Sequence, residues 1–534
     1  MPKRAVVVFF VICILMGVVS LKLMSLSTGI DAAVGGAKNS RSITLSNLGA
    51  PIYDCKGRLI TNDGEEYYVA VKPTAQALSA LRDVLSADEL ERVYRNLEKG
   101  KPAAVGVTQY VKSDDIKIIT ANTRYSIRQL AAHIVGYTDS DGNGVYGIEK
   151  AFNDIFKNNR QSVSAVFSVD AYGKVMTGAD ITTRIDGDFG ESGVYLTIDL
   201  DIQRIVEDCM DSCGVELGAV VVLEPKTGAI RACASRPTFD PNDLAKSLND
   251  ANSPFINRAM SAFAVGSVFK PAIAAAALEQ GVNPYAVYDC TGSITIGDTE
   301  FGCYEHRAHG KVDMCGALEK SCNAYFINLA QKLDREQLLL TLASLGFGKE
   351  ISFCGGISSS AGCLPKFGEL DSKAAVANLA FGQGILTATP VQMAAYMSAI
   401  ANGGVYVTPY LVEKAIDGET VTAEHAKKAG EHIISEQTAK LISAFLKSAV
   451  ENGNGSGAKP SVTTAAGKTA TAQTGKIENG QELYNTWFAG WFPTDEPQYV
   501  IAVLKERGAG GASDCAPVFK AIADKICENI NITQ

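Results

Sequence analysis

Ala264-Val-Gly-Ser-Val-Phe-Lys270, running straight into Pro271 and the alanine-rich stretch Ala272–Leu278, is the part of the chain on which the other assignments turn. Alanine and leucine are strong helix formers, and proline is tolerated in a first turn. The pattern therefore predicts a helix that opens near Ser267. Residues three apart share a helix face, which sets the Lys270 amine beside the Ser267 hydroxyl. A serine hydroxyl is a weak nucleophile and needs a neighbouring base. A lysine whose pKa is lowered by burial can take its proton, and a helix N-terminus favours a developing oxyanion. Taken alone, Ser267 reads better as a plain N-cap. A second Ser-x-x-Lys, Ser456-Gly-Ala-Lys459, sits in a glycine-rich loop with no helix to set its geometry.

Working outward, Ser321-Cys-Asn323 follows Ala317-Leu-Glu-Lys320. Ser321 can relay a proton between the lysine and a leaving group, and Asn323 can hydrogen-bond a substrate amide. Ser247-Leu-Asn249 has the same form but precedes Ser267. Further on, Lys468-Thr-Ala-Thr471 reads as a strand that offers backbone groups to an extended peptide, with Lys468, Thr469 and Thr471 binding its carboxylate. The literal Lys226-Thr227-Gly228 lies upstream in a hairpin turn, where Thr-Gly serves backbone conformation.

Between these segments the chain is organised as follows. Tyr195–Ile198 reads as a strand and Asp199 as the cap of a helix over Leu200–Cys213. Gly218–Glu224 and Ala229–Ala234 are β runs, as are Thr486–Phe492 and Tyr499–Lys505. A last helix covers Ala516–Glu528. Thr389-Pro-Val-Gln392 has the form of a capping box, and Gly403-Gly404 ends its helix. Strands at both ends with helices between them predict an α+β domain over 191–534, one antiparallel sheet with helices on its faces. Residues 41–190 read as a mixed positioning module, with a hairpin at Pro51–Ile60 and helices at Ala75–Leu97 and Val145–Phe156.

The N-terminus predicts one transmembrane helix within residues 1–24. Lys3 and Arg4 precede an uncharged run from Ala5 to Leu21, about 25 Å of helix and near the lower limit for spanning a bilayer. An uncleaved anchor with a cytoplasmic N-terminus and an exported remainder fits better than a cleaved signal peptide. The best cleavage site lies beyond Lys22, around Asp31-Ala32-Ala33, and is poor. Residues 25–40 read as a linker. A net charge of −9 argues against a nucleic-acid partner. The 13 cysteines read mostly as small buried hydrophobes. Cys290 with Cys303 could pair, and Cys354 with Cys363 more weakly. With no Cys-x-x-Cys spacing, neither zinc nor another cofactor is expected.

Ser-x-x-Lys, Ser-x-Asn and Lys-Thr-(Gly), in that order, resemble the signature of penicillin-binding proteins and serine β-lactamases. Further stretches resemble the class B penicillin-binding proteins. They are Ile52-Tyr-Asp-Cys-Lys-Gly57, Gly144-Val-Tyr-Gly-Ile-Glu149, Thr197-Ile-Asp-Leu-Asp-Ile-Gln203, His309-Gly310, Phe381-Gly-Gln-Gly384, Ala388-Thr-Pro-Val-Gln-Met393 and Trp487-Phe-Ala-Gly-Trp-Phe-Pro493. The resemblance implies that fold for the catalytic domain, with a pedestal ahead of it. It also implies a D,D-transpeptidase acting on peptidoglycan stem peptides. Ser267 would attack the D-Ala-D-Ala donor, an amine acceptor would resolve the acyl-enzyme, and β-lactams would acylate Ser267 as mimics. The N–H groups of Ser267 and Ala470 would form the oxyanion hole. A partner glycosyltransferase within an elongation or division complex is implied as well. The alternatives are a D,D-carboxypeptidase or β-lactamase-like hydrolase, and a non-catalytic β-lactam sensor or divisome scaffold. Four positions depart from the family pattern. Val265 stands where proline is usual, and Cys55-Lys56 where arginine and asparagine are usual. Ala470 stands where glycine is usual, its methyl expected beside bound substrate, so Ala470→Gly would speed acylation.

Overall fold

The computed structural model describes residues 2–27, 39–426, 429–478 and 480–529. Pro2–Ser27 is one helix. Its stretch Val6–Met24 has mean hydropathy 2.8 and is, by length and composition, able to cross a membrane. Most of the linker expected at 25–40, with the candidate cleavage site around Asp31, lies outside the described residues.

The rest forms two compact units interleaved in sequence. The first takes in residues 62–126 and 159–189 together with the chain up to Gly49. It holds two three-stranded antiparallel sheets, one of Ser40–Gly49, Arg160–Ser168 and Thr182–Asp186, the other of Ala103–Val107, Gly64–Val71 and Ile116–Thr123. Val69, Val71, Leu81, Val93 and Leu97 pack into one of its cores. The helix expected over Ala75–Leu97 is two, Ala75–Leu81 and Ala87–Glu98. Ser86 and Glu89 form a capping box that starts a new helix mid-run, and this local pairing overrides the continuous apolar spacing.

The second unit contains residues 190–534 and also 50–61 and 127–158, which the sequence reading placed in the positioning module. The reason is pairing and charge. Ile52–Tyr53 adds to Gly193–Leu196 as a parallel strand. At the hairpin beyond it, Arg58 bridges Asp54, Asp199 and Asp201 at 2.6–2.9 Å. Lys56 joins Asp199 and Asp201 at 2.9 and 3.0 Å, so it makes its contacts inside this unit. Likewise the Ala131 N–H donates to the Glu207 carboxylate at 2.9 Å. The helix expected at Val145–Phe156 is a short strand followed by two short helices, Gly147–Ala151 and Asn153–Asn158. Gly147, at φ +64°, makes the turn between strand and helix.

The centre of this unit is a five-stranded antiparallel sheet in the order Ile230–Arg236, Gly218–Leu223, Tyr499–Glu506, Gln481–Phe492, Ala466–Glu478. Its first two strands come early in the chain and its last three late, as the β runs at both ends predicted. On one face, Ile202, Val206 and Met210 of the helix Leu200–Ser212 and Phe519, Ile522 and Ile526 of Ala516–Asn529 pack against Val220, Val222, Phe488 and Ile501. The other face carries the helix Pro390–Ala401, buried from Pro390 to Ile400 and opened by the Thr389–Gln392 capping box. An apolar circumference is what a central helix requires. Ala466–Glu478 is left as an edge strand, with one side unpaired within the sheet.

Candidate active site

Ser267 sits on a single 3₁₀ turn, Gly266–Phe269, that runs into the helix Lys270–Glu279. Three contacts hold this turn. The Gly266 N–H donates to the Gly382 carbonyl at 2.9 Å. The Trp487 indole N–H donates to the Ala264 carbonyl at 2.9 Å, tying the segment to the sheet. The Tyr396 hydroxyl donates to the Val268 carbonyl. Gly382 has φ +78°, and a Cβ there would lie 2.0 Å from the Gly266 carbonyl oxygen. Only glycine lets the two backbones approach this closely.

Lys270 is completely buried. Its Nζ donates to the Ser321 carbonyl at 2.7 Å, to Asn323 Oδ1 at 2.7 Å and to the Ser321 hydroxyl at 3.2 Å. Burial pushes its pKa down to about 7, only slightly countered by the Cys322 and Cys303 thiols. Ser321 and Asn323 therefore gather around the buried Lys270 amine, one helical turn after Ser267. No hydrogen bond joins the Lys270 amine to the half-buried Ser267 hydroxyl; the amine turns toward the Ser-x-Asn segment. Ser321 has φ +54°, an uncommon conformation for a side chain bearing a Cβ. Asn323 was expected to be available to substrate. Instead its Oδ1 accepts from Lys270 and its Nδ2 donates to the Gly302 carbonyl at 2.9 Å. That leaves one N–H and one lone pair for anything else.

Lys468 stands on the edge strand, 1 % exposed, its Nζ donating to the Thr469 carbonyl at 3.1 Å. Burial, then the charge of Lys270, drive its pKa well below the usual lysine value. Two lysines converging in one dry site cannot both stay protonated without cost.

Side chains alternate along the strand, which divides the remaining residues. Ala470, paired with Trp487, lies on the Lys468 face; Thr469, paired with Phe488, and Thr471, paired with Thr486, lie on the other. The Thr471 hydroxyl accepts from the Gly511 N–H at 3.3 Å. Ala470 is only 4 % exposed. Its methyl is thus part of the wall around Lys468 and does not stand in the cleft, which removes the reason for expecting faster acylation in Ala470→Gly. That variant is expected to change acylation by less than about threefold while costing about 0.5–1 kcal/mol of stability. Stopped-flow acylation and a thermal melt check both values, and a rate gain above tenfold would put the methyl back in the cleft.

Backbone groups alternate too. The Thr469 carbonyl faces outward to Lys468, and the Thr471 carbonyl lies 3.3 Å from where a Gly266 Cβ would be. Residues 469 and 471 therefore point their N–H and C=O groups off the free edge, while those of Ala470 turn toward Trp487. The strand N–H aimed at the Ser267 turn belongs to Thr471, not to Ala470 as the resemblance had suggested.

The look-alike motifs lie elsewhere. Ser456 and Lys459 are exposed on and just after one 3₁₀ turn. Lys226-Thr227-Gly228 is a tight turn with Gly228 at φ +78°. Ser247 ends an isolated 3₁₀ turn, and Asn249 is exposed. All 13 cysteines are free. The Cys290 and Cys303 sulfurs lie 3.7 Å apart, against about 2.05 Å in a disulfide. What the motif reading missed is where those sulfurs gather. Cys322, the middle residue of Ser321-Cys-Asn323, meets Cys303, Cys290 and His309 in one cluster.

Residues 218–524 match the family model of the penicillin binding protein transpeptidase domain. Among curated proteins, the chain is 32% identical over 434 residues to stage V sporulation protein D of Bacillus subtilis, covering 77% of this chain and 63% of that protein. It is 32% identical over 431 residues to penicillin-binding protein PbpB of Mycolicibacterium smegmatis, covering 77% and 65%. The chain thus spans less than two thirds of the length of these relatives. The crystal structure of penicillin binding protein 3 from Mycobacterium tuberculosis complexed with aztreonam superposes with a TM-score of 0.66 at 26% identity, over 91% of this chain and 98% of that one.

Proposed function

Because the chain belongs to the penicillin-binding-protein transpeptidase family, we propose that it is a serine-type peptidoglycan D,D-transpeptidase that β-lactams inhibit by acylating Ser267. The observation that carries this reading is the buried Lys270 amine, with a pKa near 7, one helical turn after Ser267 and hydrogen-bonded to Ser321-Cys-Asn323. A neutral amine keeps two hydrogens, for the Ser321 carbonyl and Asn323 Oδ1, and one lone pair. That lone pair takes the Ser267 proton as the hydroxyl oxygen attacks the carbonyl of the penultimate D-alanine.

An extended stem peptide pairs with the free edge of Ala466–Glu478. The Ser267 and Thr471 N–H groups then hold the oxyanion. As the C–N bond breaks, the proton returns through Ser321, 3.2 Å from Lys270, to the departing D-alanine amine. An amine from a neighbouring stem attacks the ester in the reverse sequence. Lys468, on the face of the strand opposite the Thr469 and Thr471 side chains, takes the terminal carboxylate. The Val6–Met24 helix anchors the chain with the catalytic unit outside the membrane, following the basic residues ahead of it. A partner glycosyltransferase in an elongation or division complex supplies the strands.

Peptide mapping after incubation with a fluorescent penicillin tests the assignment. The label is expected on the peptide containing Ser267. Label on Ser456, or none on folded protein, overturns it.

A further inference from the structure

Cys290 ends one short strand, Cys303 follows a second, His309 precedes a third and Cys322 caps a helix, yet their ligand atoms all lie within 4.8 Å of one another. The Cys290–Cys303 sulfurs are 3.7 Å apart, Cys303–Cys322 3.8 Å, and Cys290 Sγ to His309 Nδ1 3.5 Å. A tetrahedral zinc with Zn–S about 2.3 Å and Zn–N about 2.0–2.1 Å has S···S edges of about 3.8 Å and S···N edges of about 3.5 Å. Thiols buried merely as small hydrophobes have no reason to turn three sulfurs and an imidazole nitrogen toward one point.

Two further observations favour an ion. The Cys322 sulfur receives a backbone donor, the Tyr325 N–H, at 3.4 Å. Such N–H···S bonds at a helix N-terminus orient thiolate ligands. The segment they anchor also has little core of its own. Residues 288–312 form two-stranded pairings three or four residues long, and Tyr304–Ala308 are exposed. Ladders of that size are marginal without a staple.

We propose that these four residues form a structural Zn²⁺ site, Cys₃His, that positions Ser321 and Asn323 beside Lys270. On binding, each thiol releases its proton to solvent and the neutral imidazole offers a ring lone pair. All four positions are filled by protein, so the ion is closed to substrate. It acts through the chain. Cys322 lies between Ser321 and Asn323, and Cys303 follows Gly302, whose carbonyl holds the Asn323 side chain. The ion thereby clamps both supports of Asn323 and holds Ser321 at its positive φ. The ligands share no local Cys-x-x-Cys spacing, so the expectation of no zinc, drawn from spacing alone, does not apply to a site assembled by tertiary structure.

Elemental analysis of the full chain, purified in detergent under reducing conditions and dialysed, is expected to find about one zinc per chain. Cys290→Ser and Cys303→Ser lower this to near zero, while Cys354→Ser, outside the cluster, leaves it unchanged. After chelation, Co²⁺ added to the wild-type chain gives the visible absorption of tetrahedral cobalt–thiolate, which settles the matter even if the variants do not fold. Metal removal lowers the melting temperature and slows fluorescent-penicillin acylation at least about tenfold, and Zn²⁺ restores both. Absence of stoichiometric metal together with no cobalt spectrum, or a Cys290–Cys303 disulfide by mass, overturns the site. Unchanged acylation after the metal is gone overturns its positioning role.

Discussion

Lys270→Met is expected to slow acylation of Ser267 by about 10²–10⁴-fold, the range over which a positioned general base contributes. Methionine fills most of the buried side chain's space but removes the basic amine. It also leaves the Ser321 carbonyl and Asn323 Oδ1 without the donors that reach them at 2.7 Å. The same reasoning fixes the pH dependence of the wild-type enzyme. In the proposed mechanism the competent form is the neutral amine, and burial lowers the Lys270 pKa from 10.5 to about 7. The acylation rate should therefore fall about tenfold per unit below pH 7 and level off above it. A lysine at its ordinary value would be neutral in only about one molecule in three thousand at pH 7. Stopped-flow acylation from pH 5 to 9 reads the profile, with a melt to confirm that the variant is folded. A rate independent of pH across that range would remove Lys270 as the base.

Gly382→Ala should be nearly as damaging, though Gly382 carries no functional group. The new Cβ would sit 2.0 Å from the Gly266 carbonyl oxygen and 2.6 Å from its carbon, both backbone atoms that no rotamer change can move. Forcing a left-handed conformation on alanine adds about 1–3 kcal/mol, and overpacking about 1–3 kcal/mol more. The turn that carries Ser267 is the part that must yield, so acylation should fall by at least about 10²-fold, as for other small misplacements of a reacting group. Gly384→Ala is the matched control. Its φ is +81°, but the nearest atom is the Asn378 side-chain Cβ at 3.3 Å, so it bears the strain without the collision. Equal acylation rates in the two variants would show that the Gly266–Gly382 contact does not position the serine.

The features that could be read from the residues are those set by short-range physics. The helix after Ser267 follows from an alanine-rich run with proline in its first turn. The cap of Leu200–Ser212 by Asp199, the capping box at Thr389 and the turn at Pro225–Gly228 are likewise local, and each is present. Where two local signals competed, the longer-range pattern misled. The apolar spacing across Ala75–Leu97 was continuous, yet the Ser86–Glu89 box divides it. The lowered pKa of Lys270 was legible only as a requirement, because its cause is complete burial, which a sequence does not display.

The sequence by itself determined the order of the three motifs and which Ser-x-x-Lys pair leads into a helix. It also determined an α+β unit with its β runs at both ends and an apolar N-terminal helix. Only the tertiary structure decided the rest. It placed 50–61 and 127–158 with the catalytic unit, turned the Ala470 methyl into the Lys468 wall, and brought the Thr471 N–H to the free edge. It also brought Cys290, Cys303, His309 and Cys322 together at one point. The reason is common to all four. Strand partners, the direction of each alternating residue and the convergence of distant loops depend on which elements pair across the chain, and no local spacing encodes that.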